Sequence, residues 1–431
     1  MIERLRRHLP RGGLMHHAAV LTMGTLLGRG IAVLAMPFLT RIYTPDDFSA
    51  LASYSAVLGI LAVIACLRFE VAIPLPESDG TAVSLLVAAL LGPIVIAAVA
   101  ALVILLAGHQ LAALFPRMAS PAILWLLPPG VLLVGMFQAM QFWATRKKQF
   151  ADVARTRVTQ AVAGVSAMLA LGLGGIGAAG LTFGHMVMQG AGALGLGIRT
   201  LRADPHLLRG VTRQGMFAAA REYRRFPLWS MPEALANVAG LQIPILLIAA
   251  FADTDEAGQL MLAMQVMVMP MALVGSSLGQ VYLSRAPTEH REGRLAAFTL
   301  SIVRRLALFG APPIAVLGLT APWTFPLVFG ENWARAGVIA AMMVPWIVAQ
   351  FSWSPISTVV LITNQAKKFF FVAIVTLALR AGVVAFFLLT LGSENGTFAL
   401  CLVNVCFYLL LLIVFTIIPQ RRPASSSAQD F

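Results

Sequence analysis

Two arginines, Arg29 and Arg380, stand near the middle of apolar stretches long enough to cross a bilayer, at about 17–39 and 369–391. A guanidinium at that depth costs about 2.5–3.5 kcal/mol on insertion scales. A chain that keeps such a charge gives it an anion, a partner or water. Arginine presents a planar fork that matches phosphate oxygens, so the expected chemistry is anion recognition, and a diphosphate fits that need. The alternative is an arginine paired with an acid on a neighbouring helix. Glu70 and Glu233 are the only plausible acids, and both fall near the ends of their segments. Gly28 and Gly30 flank Arg29 and lower the steric cost of a bend or of a ligand's close approach.

Other cations have two readings each. Arg304 and Arg305 fall less than two turns into an apolar stretch at 299–320, where they either line a cavity or snorkel to the interface. Arg41 follows the first stretch and either flanks an exit or is a loop arginine near Asp46 and Asp47. Neutral polar residues are spread through the apolar segments: Gln138, Gln141, His185, Gln189, Asn237, Gln242, Gln265, Gln280, Gln350 and Asn404. They suit a hydrophilic interior or hydrogen bonds between helices. His185 is a candidate proton carrier or a packed histidine. Pro244, Pro270, Pro312, Pro313, Pro345 and Pro355 predict kinks. No zinc-protease signature, phosphate-cradling glycine loop or Cys/His cluster is present, so neither an enzyme nor a cofactor is expected.

The elements that must position these residues are membrane helices. Of 431 residues, 59% are hydrophobic and 11% charged, where a soluble domain carries about 25% charged residues. The hydropathy predicts an all-α polytopic protein with twelve spans, near 17–39, 47–67, 81–107, 121–143, 152–173, 175–197, 229–251, 257–283, 299–320, 337–362, 369–391 and 397–418. The split between the fifth and sixth rests on Gly172, Gly174, Gly175 and Gly177. The first stretch lacks a cleavage site followed by a polar domain and reads as a span. Cys66, Cys401 and Cys406 read as packing residues.

The net charge is +13, and its placement is one-sided. Arg146, Lys147, Lys148, Arg155 and Arg157 are assigned to the loop after the fourth span. Arg199, Arg202, Arg209, Arg213, Arg221, Arg224 and Arg225 are assigned to the loop after the sixth. The opposite loops hold Arg41, Arg117 and Arg335. Such a bias places both termini in the cytoplasm and makes the basic charge a topology signal and a lipid-headgroup attraction, not a nucleic-acid footprint.

The chain also looks duplicated. Pro45-Asp46-Asp47 and Thr254-Asp255-Glu256 open corresponding spans at an offset of 209; Pro76 and Pro287 follow at 211, and Lys147-Lys148 and Lys367-Lys368 at 220. Two units of six spans share one orientation and face each other across a cleft. The expected domains are an N-terminal six-helix lobe at 1–197, a basic linker at 198–228, a C-terminal lobe at 229–418 and a disordered tail at 419–431.

Three motifs carry a family resemblance. Pro37-Phe38-Leu39-Thr40-Arg41-Ile42-Tyr43-Thr44-Pro45-Asp46-Asp47-Phe48 resembles the opening motif of Wzx-type polysaccharide flippases, of the multidrug/oligosaccharidyl-lipid/polysaccharide exporter superfamily, with Ser49 where a glycine is usual. Leu67-Arg68-Phe69-Glu70-Val71-Ala72-Ile73-Pro74-Leu75-Pro76 and Leu327-Val328-Phe329-Gly330-Glu331-Asn332-Trp333 are similar to two further family segments. The resemblance implies two lobes, a V-shaped cavity and alternating access. Its implied cargo is a polyprenyl-diphosphate-linked oligosaccharide, moved across a bacterial inner membrane for O-antigen or other polysaccharide and passed to glycan polymerase machinery. It also implies a cationic cavity, with Arg29, Arg380, Arg305 and Arg41 as substrate-binding candidates.

The rivals are a drug exporter of the same superfamily, a major-facilitator transporter and a membrane glycan polymerase or ligase. The first wants buried acids for cationic drugs, the second a Gly-x-x-x-Asp-Arg loop, and the third a sizeable outer loop. The spans offer arginine in place of buried acids, and the second and third features are absent from the sequence.

Overall fold

A computed structural model describes residues 14–118, 120–203, 211–252, 255–269, 285–357 and 366–414, with the single residues 279, 282 and 359. These residues are almost wholly helical, and no strand occurs among them. The helices are α1 (Leu14–Ile42), α2 (Pro45–Ala65), α3 (Phe69–Ala72), α4 (Asp79–Leu114), α5 (Pro121–Trp125), α6 (Leu127–Arg146), α7 (Phe150–Leu173), α8 (Ala178–Gly190), α9 (Gly192–Ala203) and α10 (Arg213–Glu222) in the first half. The second half holds α11 (Met231–Phe251), α12 (Glu256–Met267), α13 (Leu295–Phe329), α14 (Ala334–Trp353), α15 (Ala366–Leu391) and α16 (Ser393–Leu412).

Of the twelve predicted spans, ten are continuous helical segments long and apolar enough to cross a membrane among the described residues. The sixth is α8 followed by α9, two short helices meeting at Ala191. Much of the eighth, after residue 269, lies outside the described residues, as do Gln280, Pro270 and the 419–431 tail. The glycine-rich break between α7 and α8 falls where expected, because Gly175 and Gly177 adopt φ of +75° and +60°.

Local chemistry sets the helix ends. The Asp47 amide donates to Thr44 Oγ1 at 3.2 Å and the Thr44 amide to Asp47 Oδ2 at 2.9 Å, a reciprocal cap that starts α2. Asp46 pairs with Arg117 at the same end of the bundle. At the other end, Arg146 and Lys147 at the close of α6 hold Asp79 at the start of α4, at 2.9 and 2.7 Å. The turns at 43–44, 174–177, 330–333 and 392 share one face of the bundle, here the short-turn face. The Arg- and Lys-rich connections share the opposite, basic face.

One core runs through both halves. In the first half α1 packs on α7, α4 on α6 and α7 on α8; in the second α13 packs on α14, α11 on α15 and α14 on α16. The halves meet where α2 packs on both α11 and α12. Cys66 and Cys401 are buried as expected, but Cys406 is exposed: it lies five residues from Cys401 and so on another face of α16. Prolines 244, 312, 313 and 345 sit inside helices as predicted.

Candidate functional site

The seam between α1 and α7 builds the site. Gly24 and Gly28 lie one turn apart on α1 and face α7. A Cβ on Gly24 would meet the Ala154 Cβ at 2.4 Å, and one on Gly28 would meet the Arg157 carbonyl oxygen at 3.1 Å. This small-xxx-small pairing lets the two backbones touch. Gly28 therefore serves helix packing, whereas Gly30 faces open space. Arg29, next on the chain, emerges beside the seam.

Arg29 lines a cavity of about 480 Å³ bounded by α1, α7 and α8 on one side and by α12 with residues 268 and 269 on the other. The polar lining is Thr25, Arg29, Arg157, Gln160, Gln189 and Gln265; the rest is apolar, with Met188, Met264 and Met269 prominent. No acid lines it. Arg29 is exposed to this space and makes no ion pair with a described residue. Toward the short-turn face the lining continues through Ala32, Met188 and Gln265 into a void of about 10 Å³, room for a single water. His185 borders that void with both ring nitrogens buried and unpartnered, its ring perpendicular to Tyr54.

Arg157 corrects the sequence reading. It was assigned to a basic loop, but the turn at Lys148, φ 57°, ends the loop early and α7 begins at Phe150. Arg157 thus lies two turns into the helix and reaches the cavity. Its Nη2 donates to Gln141 Oε1 at 2.7 Å, and its guanidinium carbon lies 4.9 Å from the centre of the Phe137 ring. The cue available in the sequence was the predicted fifth span itself, 152–173, which already contained residue 157.

Arg380 is elsewhere. It is 2% exposed and held between α11, α15 and α16. Its Nη1 donates to the Gly240 carbonyl at 3.4 Å, and the guanidinium carbon lies 4.0 Å above the Phe407 ring centre. Its Nε and Nη2 have no hydrogen-bond partner among the described residues. No carboxylate pairs with it there, and it does not line the Arg29 cavity. Arg304 and Arg305 are exposed on α13. That helix begins at Leu295, so Arg305 is ten residues in, about 15 Å along the axis and deeper than the sequence suggested. Arg41 is exposed in the last turn of α1, while Asp46 and Asp47 are engaged by Arg117 and Thr44. Neither Arg41 nor Arg305 lines the cavity.

At the short-turn face the halves close on each other. The Gly258 amide donates to Ser49 Oγ at 2.8 Å, the Trp333 indole N–H donates to the Thr40 carbonyl at 3.1 Å, and Phe48 meets Trp333 edge-on at 4.9 Å. Behind this contact Arg335 grips Glu256 with two bonds, Nε to Oε2 at 3.1 Å and Nη2 to Oε1 at 3.0 Å.

Among solved structures, the fold is similar to that of the lipid II flippase MurJ in an inward closed conformation, with a TM-score of 0.69, 12% identity and 92% of this chain covering 87% of that one. It is also similar to a multidrug resistance MATE family transporter of the MOP superfamily, inward-facing (TM-score 0.60) and outward-facing (0.56), each at 15% identity with 94% and 96% coverage. Comparison with curated proteins finds no sequence match. A family model described as polysaccharide biosynthesis protein matches residues 38–338, about two thirds of the chain, from the end of α1 to the start of α14. With that model matched over more than half of its length, the chain belongs to the polysaccharide biosynthesis protein family, and it adopts a helical fold like those of these transporters.

Proposed function

We propose that the protein is a flippase that moves polyprenyl-diphosphate-linked oligosaccharide units across a bacterial inner membrane by alternating access, for polysaccharide or lipopolysaccharide biosynthesis. The observation that carries this is the cavity between the halves, in which Arg29 and Arg157 are the only charged lining residues among the described ones. Two positive charges with no acid among the described lining attract an anionic headgroup and repel the cationic compounds a drug exporter would favour. The amides of Gln160, Gln189 and Gln265 suit sugar hydroxyls, while the polyprenyl tail stays in lipid. In this reading the basic face is cytoplasmic, and the Ser49–Gly258 contact closes the periplasmic side.

Arg29 and Arg157 hold the diphosphate in the state described. Arg380, Arg305 and Arg41 stay candidate substrate contacts for other states of the cycle. Membrane lipids are partners throughout, and a glycan polymerase receives the product.

The test is complementation of a flippase-deleted host, read as surface polysaccharide at matched protein levels, with Arg29→Ala and Arg157→Ala. Loss in both is expected. Full complementation by both refutes the reading. Unchanged polysaccharide alongside altered export of a cationic dye would favour the drug exporter.

A further inference from the structure

We propose that Gln141 is a positioning residue: with Phe137, one turn earlier on α6, it forms a cradle that aims the Arg157 guanidinium at the diphosphate. The inference rests on reading the cavity as a diphosphate site and adds what holds that site's second cation in place. Arg157 projects from α7, and neither group of its cradle belongs to that helix. Phe137 is 2% exposed and packed against Ala193 and Leu196 of α9, so the ring is a fixed platform. The Gln141 amide oxygen takes one donor of the guanidinium, at 2.7 Å. The other donors of that fork are not among the buried unpartnered atoms, and the residue lines the cavity, so they remain available to a ligand.

The residue type matters at position 141. An amide oxygen orients a guanidinium without cancelling its charge. A carboxylate in the same place would hold it as well and neutralise it, and the cavity would drop from two positive charges to one. An apolar residue would leave the charge but release the arginine to several rotamers, and the entropy of fixing it would fall on ligand binding.

The two substitutions therefore weaken binding in distinguishable ways. The measurement is calorimetric binding of farnesyl diphosphate, with farnesol as the uncharged control, to the purified full-length protein at low and high salt. Gln141→Glu is expected to weaken binding about tenfold at low salt and to flatten its salt dependence, because a charge is lost. Gln141→Met is expected to weaken it about threefold with the salt dependence kept. In an Arg157→Ala background, Gln141→Met is expected to have no further effect, since its action passes through Arg157. Native-like binding by both Gln141 variants while Arg157→Ala weakens binding would overturn the positioning role and leave the site intact. A Gln141→Met loss that persists without Arg157 would equally overturn it. If Arg29→Ala and Arg157→Ala both bind the diphosphate like the native protein, the diphosphate reading itself fails.

Discussion

Ser49 and Gly258 stand 209 positions apart and touch, the Gly258 amide donating to Ser49 Oγ at 2.8 Å. That separation is the offset between Pro45-Asp46-Asp47 and Thr254-Asp255-Glu256 at the starts of α2 and α12. Residues at matching places in two copies meet each other when the axis relating the copies passes through the contact. A duplication at this offset would put Ser49 and Gly258 at matching places beside the axis that relates the copies.

A Cβ at position 258 would lie 1.9 Å from the Pro45 carbonyl oxygen and 2.8 Å from the Ser49 amide, both backbone atoms. Gly258→Ala must push α2 and α12 apart, at a cost of about 1–3 kcal/mol. A lowered melting temperature in detergent is expected, and an unchanged one would show that the helices part without cost.

Arg335 faces Glu256, whose side chain is only 4% exposed. Arg335→Ala leaves that carboxylate buried without its partner, at a cost of about 3–5 kcal/mol. The double variant Arg335→Leu with Glu256→Gln should recover most of the loss. Thermal unfolding of both variants checks this, and equal stability of the single and double variants would contradict it.

Arg380 carries a buried charge stacked on Phe407 and without a carboxylate partner. Replacing such a charge by a hydrophobic side chain is neutral or stabilising, by up to about 1–4 kcal/mol. Arg380→Leu should therefore keep or raise the melting temperature. If the charge contacts cargo in another state, the same variant loses surface polysaccharide while remaining folded. A folded variant with full polysaccharide would remove Arg380 from the substrate contacts.

Glu70, in the connection between α2 and α4, is 3% exposed, and burial pushes its carboxyl above the usual glutamate range despite Arg68 nearby. A folded-state value raised above the unfolded one means that its stabilising contribution is present at acidic pH and fades as pH rises through the folded value. Stability should decline with rising pH across that window, and Glu70→Gln should flatten the decline. An identical profile for the variant would assign the pH dependence to another group.

Much of the molecule was legible in the residues alone. A long apolar run specifies a membrane helix because no other open-chain structure satisfies its backbone in lipid. Gly174 to Gly177 and Thr44 to Asp47 marked local ends for local reasons. Arg29 was legible for the same kind of reason, since its charge is anomalous in its own helix. Arg157 was not, because its meaning depends on Gly28 bringing α1 against α7 and on the cavity that opens beside them. Gln141 was one amide among many until α6 placed it beside that arginine.

Composition, hydropathy and charge bias by themselves determined a multi-span helical protein, because insertion energy is local and additive along a helix. Only the tertiary structure decided which of two equally anomalous arginines meets the cavity. Arg29 opens onto the space between the halves, whereas Arg380 is folded onto an aromatic ring inside one of them. Helical periodicity sets a side chain's direction relative to its own axis, but which neighbour lies in that direction depends on packing between helices distant in the chain.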